Sequence, residues 1–193
     1  MKRILLLLAL AVLALALIGC PGKKEEQDDQ AQDQTQEQPA AGEVLQIGSL
    51  SPLTGPYAAD GNDIANGARA AIEAIMAEGG IEGFSSISLT AQDSACDPKQ
   101  AVAAANKLIN EGVVGVVGAY CSSSTIPSSE TLAEENIIMI TPASTNEKVT
   151  ERGLEYMFRM CGRDDDQAVI AGQFMKEYLQ AKTIVIVDDK TTY

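Results

Sequence analysis

The stretch that decides the fold runs Gly112-Val113-Val114-Gly115-Val116-Val117-Gly118-Ala119-Tyr120-Cys121-Ser122-Ser123-Ser124-Thr125. Its first half is short, apolar and β-branched, the pattern of a strand covered on both faces in a parallel sheet. Its second half packs four hydroxyls where such a strand hands over to a helix. In open α/β sheets ligands bind in the crevice outside the carboxyl ends of the strands. A helix that begins there offers free N–H groups and the positive end of its dipole. Ser122 therefore falls at a strand end suited to an anionic group such as a carboxylate.

Working outward, strands and helices alternate. Residues 44–48 read as a strand and residues 49–62 as a loop punctuated by Pro, Gly and Thr. Residues 63–77 read as a helix whose Ile64, Ala65, Ala68, Ala71, Ile72, Ile75 and Met76 share one stripe. Residues 87–91 form the second strand. Asp97-Pro98 opens the next helix with an N-cap residue and a proline at the first helical position, and Ala101, Val102, Ala105, Leu108 and Ile109 are its buried face. A third helix is expected over residues 124–135, capped by Ser124, and a fourth strand over 137–140. Beyond a loop at 141–146 come a strand at 156–160, a helix at 164–179 with an acidic first turn, and a buried strand at 183–187. This alternation predicts an α/β fold with a parallel sheet and right-handed crossovers. A parallel strand with no helix after it is an unfinished unit, so the chain reads as the first part of a longer protein.

The amino terminus reads as an export signal. Lys2-Arg3 precedes an apolar run over residues 4–18, short for a membrane span, and Leu17-Ile18-Gly19-Cys20 follows. That quartet resembles the lipobox of bacterial lipoproteins, in which Cys20 would become the lipidated first residue and several acyl chains would hold it at a membrane. Residues 21–42 turn to Gln, Asp, Glu, Ala and Pro, too little apolar surface to fold. As a flexible coil they would span about 25 Å.

A net charge of -13 and the lack of a basic patch argue against nucleic acid as a partner. There is no histidine, which removes the usual general base and the commonest metal ligand, and with them serine–histidine catalysis. Cys96, Cys121 and Cys161 lack the close paired spacing of a zinc site, so no metal or other cofactor is expected. Cys96 and Cys121 fall in neighbouring strand-end loops. A disulfide there would tie two sides of the site together and contribute about 3.5 kcal/mol through loop entropy, leaving Cys161 unpaired.

Four loops follow strand ends and should meet on one edge of the sheet. They carry Ser51, Thr54, Tyr57, Asp60, Asp93, Ser122, Ser123, Ser124, Thr141, Ser144 and Thr145, rich in hydroxyls and poor in charge. Serines and threonines also cap helices and fill loops for ordinary reasons, which is the reading preferred for Ser124 and, as a cap, for Asp97. Ser122 and Thr145 are read as ligand contacts from their strand-end positions.

Several motifs now carry a resemblance. Ala95-Cys96-Asp97-Pro98-Lys99-Gln100-Ala101-Val102, Cys121-Ser122-Ser123-Ser124-Thr125, Met139-Ile140-Thr141-Pro142-Ala143 and Asp189-Lys190 leading to Tyr193 resemble the periplasmic leucine/isoleucine/valine-binding proteins of ABC transporters. The resemblance covers residues 44–193. It implies two Rossmann-like lobes that close on one amino acid, with a first lobe over residues 43–162 and the start of a second over 163–193. It makes Cys96 and Cys121 the family's disulfide. It implies that Ser122, the Ala143 carbonyl and Thr145 hold the ligand's carboxylate and ammonium, with Tyr193 lining the pocket from the second lobe. Asp60 stands where the branched-chain binders place a tyrosine near the ligand side chain.

The function expected is that of a lipid-anchored, non-enzymatic solute-binding protein at the cell envelope, facing periplasm or exterior. It would deliver branched-chain or related amino acids to a membrane permease. A receptor for amides, urea or small aromatic acids on the same fold is the alternative, and an exported serine hydrolase a more distant one.

Overall fold

The structure is a computed structural model that describes residues 42–193. The readings of Cys20 and of the tether up to residue 41 lie outside the described residues. Five parallel strands form one sheet: β1 (Glu43–Ser51), β2 (Phe84–Asp93), β3 (Gly115–Gly118), β4 (Ile138–Thr141) and β5 (Met157–Arg159), in the order β2-β1-β3-β4-β5. The helices between them are α1 (Ala58–Ala77), α2 (Pro98–Asn110) and α3 (Ser122–Glu134), and α4 (Asp164–Gln173) follows β5. The chain leaves β1 in one direction to β2, then returns past β1 to β3 and continues the other way. Connections from β1 and β3 therefore diverge, and the crevice opens at their carboxyl ends. Register places Leu50 beside Gly118 at that point.

The core lies on the face covered by α2 and α3. Leu50, Leu108, Val116, Leu132 and Met139 form its centre, contributed by β1, α2, β3, α3 and β4 in turn. Each large aliphatic side chain buried here contributes about 1.5–3 kcal/mol. α2 presents Ala101, Ala104, Ala105 and Leu108 to this core, and its small alanines let it lie close to the sheet. Gly118 allows the chain to turn out of β3 at the crevice. Its φ is +138°, and a Cβ there would sit 1.9 Å from the Leu50 carbonyl oxygen.

Several boundaries differ from the sequence expectations. α1 begins at Ala58 rather than residue 63, because Asp60-Gly61-Asn62 is helical instead of a turn. Gly61 is buried against the Pro52 carbonyl, where a Cβ would come within 1.9 Å, so this glycine serves helix packing rather than chain reversal. α3 begins at Ser122, and Cys121 is its N-cap, because the Ser124 and Thr125 N–H groups both donate to the Cys121 carbonyl. Ser124 is thus a first-turn residue and not the expected cap. The helix expected over 164–179 is α-helical to Gln173 and ends in one wider π-type turn, Phe174–Tyr178.

The strand expected at 183–187 is not formed. No neighbouring strand takes up its backbone groups, and Val187 is 91 % exposed. Ile138, Ile140 and Phe158, on the sheet face opposite α3, are likewise exposed.

Candidate functional site

A cavity of about 500 Å³, within the range of small-molecule sites, opens at the carboxyl edge of the sheet. All four strand-end loops reach it: Tyr57 after β1, Cys96 after β2, Tyr120 to Ser123 after β3, and Ala143 and Thr145 after β4. Asp189, Thr191 and Tyr193 line it from the last residues of the chain. Asn146 Nδ2 donates to the Thr192 carbonyl at 2.9 Å and holds that segment to the rim.

The start of α3 is its most distinctive wall. Cys121 is joined to Cys96 in a disulfide with a Cα–Cα distance of 5.5 Å, while Cys161 is unpaired. With its sulfur committed, the N-cap residue makes no side-chain hydrogen bond to the helix. The N–H groups of Ser122 and Ser123 belong to the first turn, where no intrahelical acceptor exists, and both residues line the cavity. Ser122 is only 1 % exposed, and its Oγ accepts from the Asn146 N–H at 3.2 Å. Its own hydrogen remains available to donate. Two N–H groups, one hydroxyl and the positive end of a thirteen-residue helix thus converge without a fixed cation.

The loop after β4 is held beside this helix by a directed chain of buried hydroxyls. The Ala119 N–H donates to Thr125 Oγ1 at 3.2 Å, and Thr125 Oγ1 lies 2.7 Å from Ser144 Oγ. Ser144 Oγ also lies 3.1 Å from the Ala119 carbonyl and 3.0 Å from that of Tyr120. Carbonyls only accept, so the Ser144 hydrogen goes to them and Thr125 is the donor to Ser144. Thr141 Oγ1 adds a bond of 2.6 Å to the Ala119 carbonyl. Thr141 and Ser144, expected on the rim, are therefore buried scaffold, as are Ser51 and Ser124. The Thr145 carbonyl accepts from Arg159 Nη1 at 3.2 Å and from the Asp164 N–H at 3.0 Å, which links the site to the start of α4.

On the β1 side, Asp93 secures the rim by accepting from the Leu53 N–H at 2.7 Å, Thr54 Oγ1 at 2.6 Å and the Ala95 N–H at 2.8 Å. Burial pushes its carboxyl up, but these donors outweigh it and hold it below its ordinary value. Tyr57 and Tyr120 pack with ring centroids 5.7 Å apart. Burial raises the Tyr120 phenol, and the nearby Asp60 carboxylate raises it further.

Of the residues expected to touch a ligand, the structure brings Ser122, Ala143, Thr145 and Tyr193 to one cavity. Asp60, expected to touch the ligand, lies in the first turn of α1 and is not among the lining residues. Sequence reasoning overlooked Tyr120, although its position directly before the strand-end half-cystine marks it. Among the described residues no group of three His, Cys, Asp or Glu could hold a metal ion.

Residues 44–193 match the periplasmic binding protein family. The chain belongs to that family. It is 53 % identical over 148 residues to an amino acid binding protein of Pseudomonas aeruginosa, covering 76 % of this chain and 39 % of the relative. It is 43 % identical to a Leu/Ile/Val-binding protein of Rhizobium johnstonii, covering 80 % of this chain and 42 % of the relative. Among solved structures, a branched-chain amino acid transporter substrate-binding protein of Streptococcus pneumoniae in complex with isoleucine superposes with a TM-score of 0.66 at 27 % identity, over 72 % of this chain and 40 % of that one. The chain thus spans about two-fifths of the length of the curated relatives it matches.

Proposed function

We propose that this chain carries the amino-acid-binding site of an extracytoplasmic solute-binding protein, which captures branched-chain or related amino acids and passes them to an ABC transporter permease without chemistry. The observation that carries the reading is the uncapped start of α3 in the cavity, with Ser122 and Ser123 available to a carboxylate. Ala143 and Thr145 lie across the same cavity, where a carbonyl and a hydroxyl can accept from the ligand ammonium, and Tyr193 closes the lining from the chain's last residues. A zwitterion suits this set, because its two charges are met by dipoles and hydroxyls rather than by lysine or arginine. The named specificities of the Rhizobium and Streptococcus relatives support the branched-chain class. Residues 43–162 form the first lobe and residues 163–193 begin a second, with lipidation at Cys20 anchoring the protein at the cell envelope.

Calorimetry on the native-length protein with a panel of amino acids, amides and small aromatic acids tests this. Ser122→Ala and Thr145→Ala should each weaken amino-acid binding about ten- to a hundredfold while leaving the melting temperature near that of the parent. Unchanged affinity in both variants would overturn the assignment.

A further inference from the structure

This inference rests on the amino-acid-binding reading and concerns what aims the loop after β4 at the ligand. Arg159 is the last residue of β5 and pairs with Thr141, from which that loop departs. Its Nη1 donates to the Asn146 carbonyl at 2.8 Å, with the Thr145 carbonyl at 3.2 Å and the Ser144 carbonyl at 3.5 Å. Its Nη2 donates to Thr150 Oγ1 at 2.9 Å. Successive carbonyls of the loop, from Ser144 to Asn146, thus turn to one guanidinium. Arg159 itself does not line the cavity, whereas Thr145 does.

A trans peptide is planar, and its C=O and N–H point in opposite directions. The Thr145 carbonyl and the Asn146 N–H belong to one such unit, and both of its ends are engaged. The carbonyl accepts from Arg159 and from the Asp164 N–H, and the N–H donates to Ser122 Oγ at 3.2 Å. We propose that Arg159 is a positioning residue of the binding site: by holding the Thr145–Asn146 peptide from the side opposite Ser122, it aims the Asn146 N–H at Ser122 Oγ and leaves the Ser122 hydroxyl hydrogen for the ligand carboxylate. A guanidinium stays charged and carries its donors in a fixed fork, so the loop is held in one geometry. Its charge at the carbonyl end also polarises the peptide and strengthens the N–H as a donor. Arg152 provides the contrast within the same molecule. Its guanidinium binds the Ile126, Lys148 and Val149 carbonyls, Ser129 Oγ and the Glu130 carboxylate, and none of these residues lines the cavity. It braces α3 without reaching the site.

Amide NMR of the ligand-free, native-length protein reads the peptide, and calorimetry with leucine and alanine reads the site. In Arg159→Met the Asn146 N–H resonance should move upfield as its bond to Ser122 Oγ is lost. Both amino acids should then bind about tenfold more weakly at a temperature where the variant is fully folded, the worth of one hydrogen bond. Arg159→Lys, which keeps the charge without the fork, should lie between that variant and the parent in both readouts. Arg152→Met should melt at a lower temperature yet keep the parent's Asn146 resonance and affinity, as the loss of a brace alone would. Parent affinity in Arg159→Met, an unmoved Asn146 resonance there, or an equal loss of affinity in Arg152→Met overturns the inference, while binding by the parent leaves the amino-acid reading standing. If Arg159→Met does not fold, Arg159→Lys decides, and parent values in both of its readouts overturn the inference. A cooperatively folded parent that binds neither amino acid overturns the amino-acid reading and this inference with it.

Discussion

The two helices that share the core begin in opposite ways. α2 starts with Asp97, whose carboxylate accepts from the Gln100 N–H at 2.8 Å, and Pro98 occupies the first helical position. α3 starts with a half-cystine whose side chain makes no capping bond. Their buried faces differ too, since α2 buries alanines and a leucine while α3 buries Ser122, Ser124, Thr125, Ser128 and Ser129 with Leu132. The first helix satisfies its own terminus and packs tightly. The second leaves its terminus open, and its position is held by a disulfide and by hydroxyl bonds to the neighbouring loop. A helix start left without a cap costs stability, and at this strand end it faces the cavity, where a ligand can supply what the cap withholds.

The largest effect should come from the apolar side of the contrast. Leu108→Ala in α2, at a fully buried position, should cost about 2–5 kcal/mol in chemical denaturation, whereas Ser128→Ala in α3, which removes one bond of 2.7 Å to the Ser124 carbonyl, should cost about 1 kcal/mol. Equal losses would mean that the two faces are not built on different principles.

Removing the crosslink sharpens the comparison further. Replacing Cys96 and Cys121 with alanine should lower stability by about 3.5 kcal/mol. Cys96→Ala with Cys121→Ser should bind amino acids more weakly than the double alanine variant, because serine is a good N-cap and its oxygen would compete with the ligand for the first-turn N–H groups. Calorimetry of the pair checks this, and equal affinities would count against an anion seat at that terminus. A smaller effect is expected at α2, where Asp97→Ala should cost about 1 kcal/mol of stability in thermal melts while leaving ligand affinity at the parent value.

Much of this contrast was legible in the residues. Asp97-Pro98 announces its cap and Gly112 to Gly118 its strand, since both signals are local. The start of α1 was not legible, because the helical role of Gly61 depends on the Pro52 carbonyl arriving from β1. Nor could the cap of α3 be read, since Ser124 is the better capping residue by type and only the strand end places Cys121 there. The roles of Thr141 and Ser144 depend on bonds to Ala119 and Tyr120, over twenty residues away. The apolar run at 183–187 has a strand's composition, but a strand also needs a partner, which composition cannot supply.

The open terminus of α3 can be watched directly by amide NMR during titration of the native-length protein with leucine or alanine. The Ser122 and Ser123 N–H resonances should move as the ligand carboxylate takes them, while the Gln100 N–H, already bonded to Asp97, stays in place. Saturable binding that leaves Ser122 and Ser123 unmoved would contradict the account.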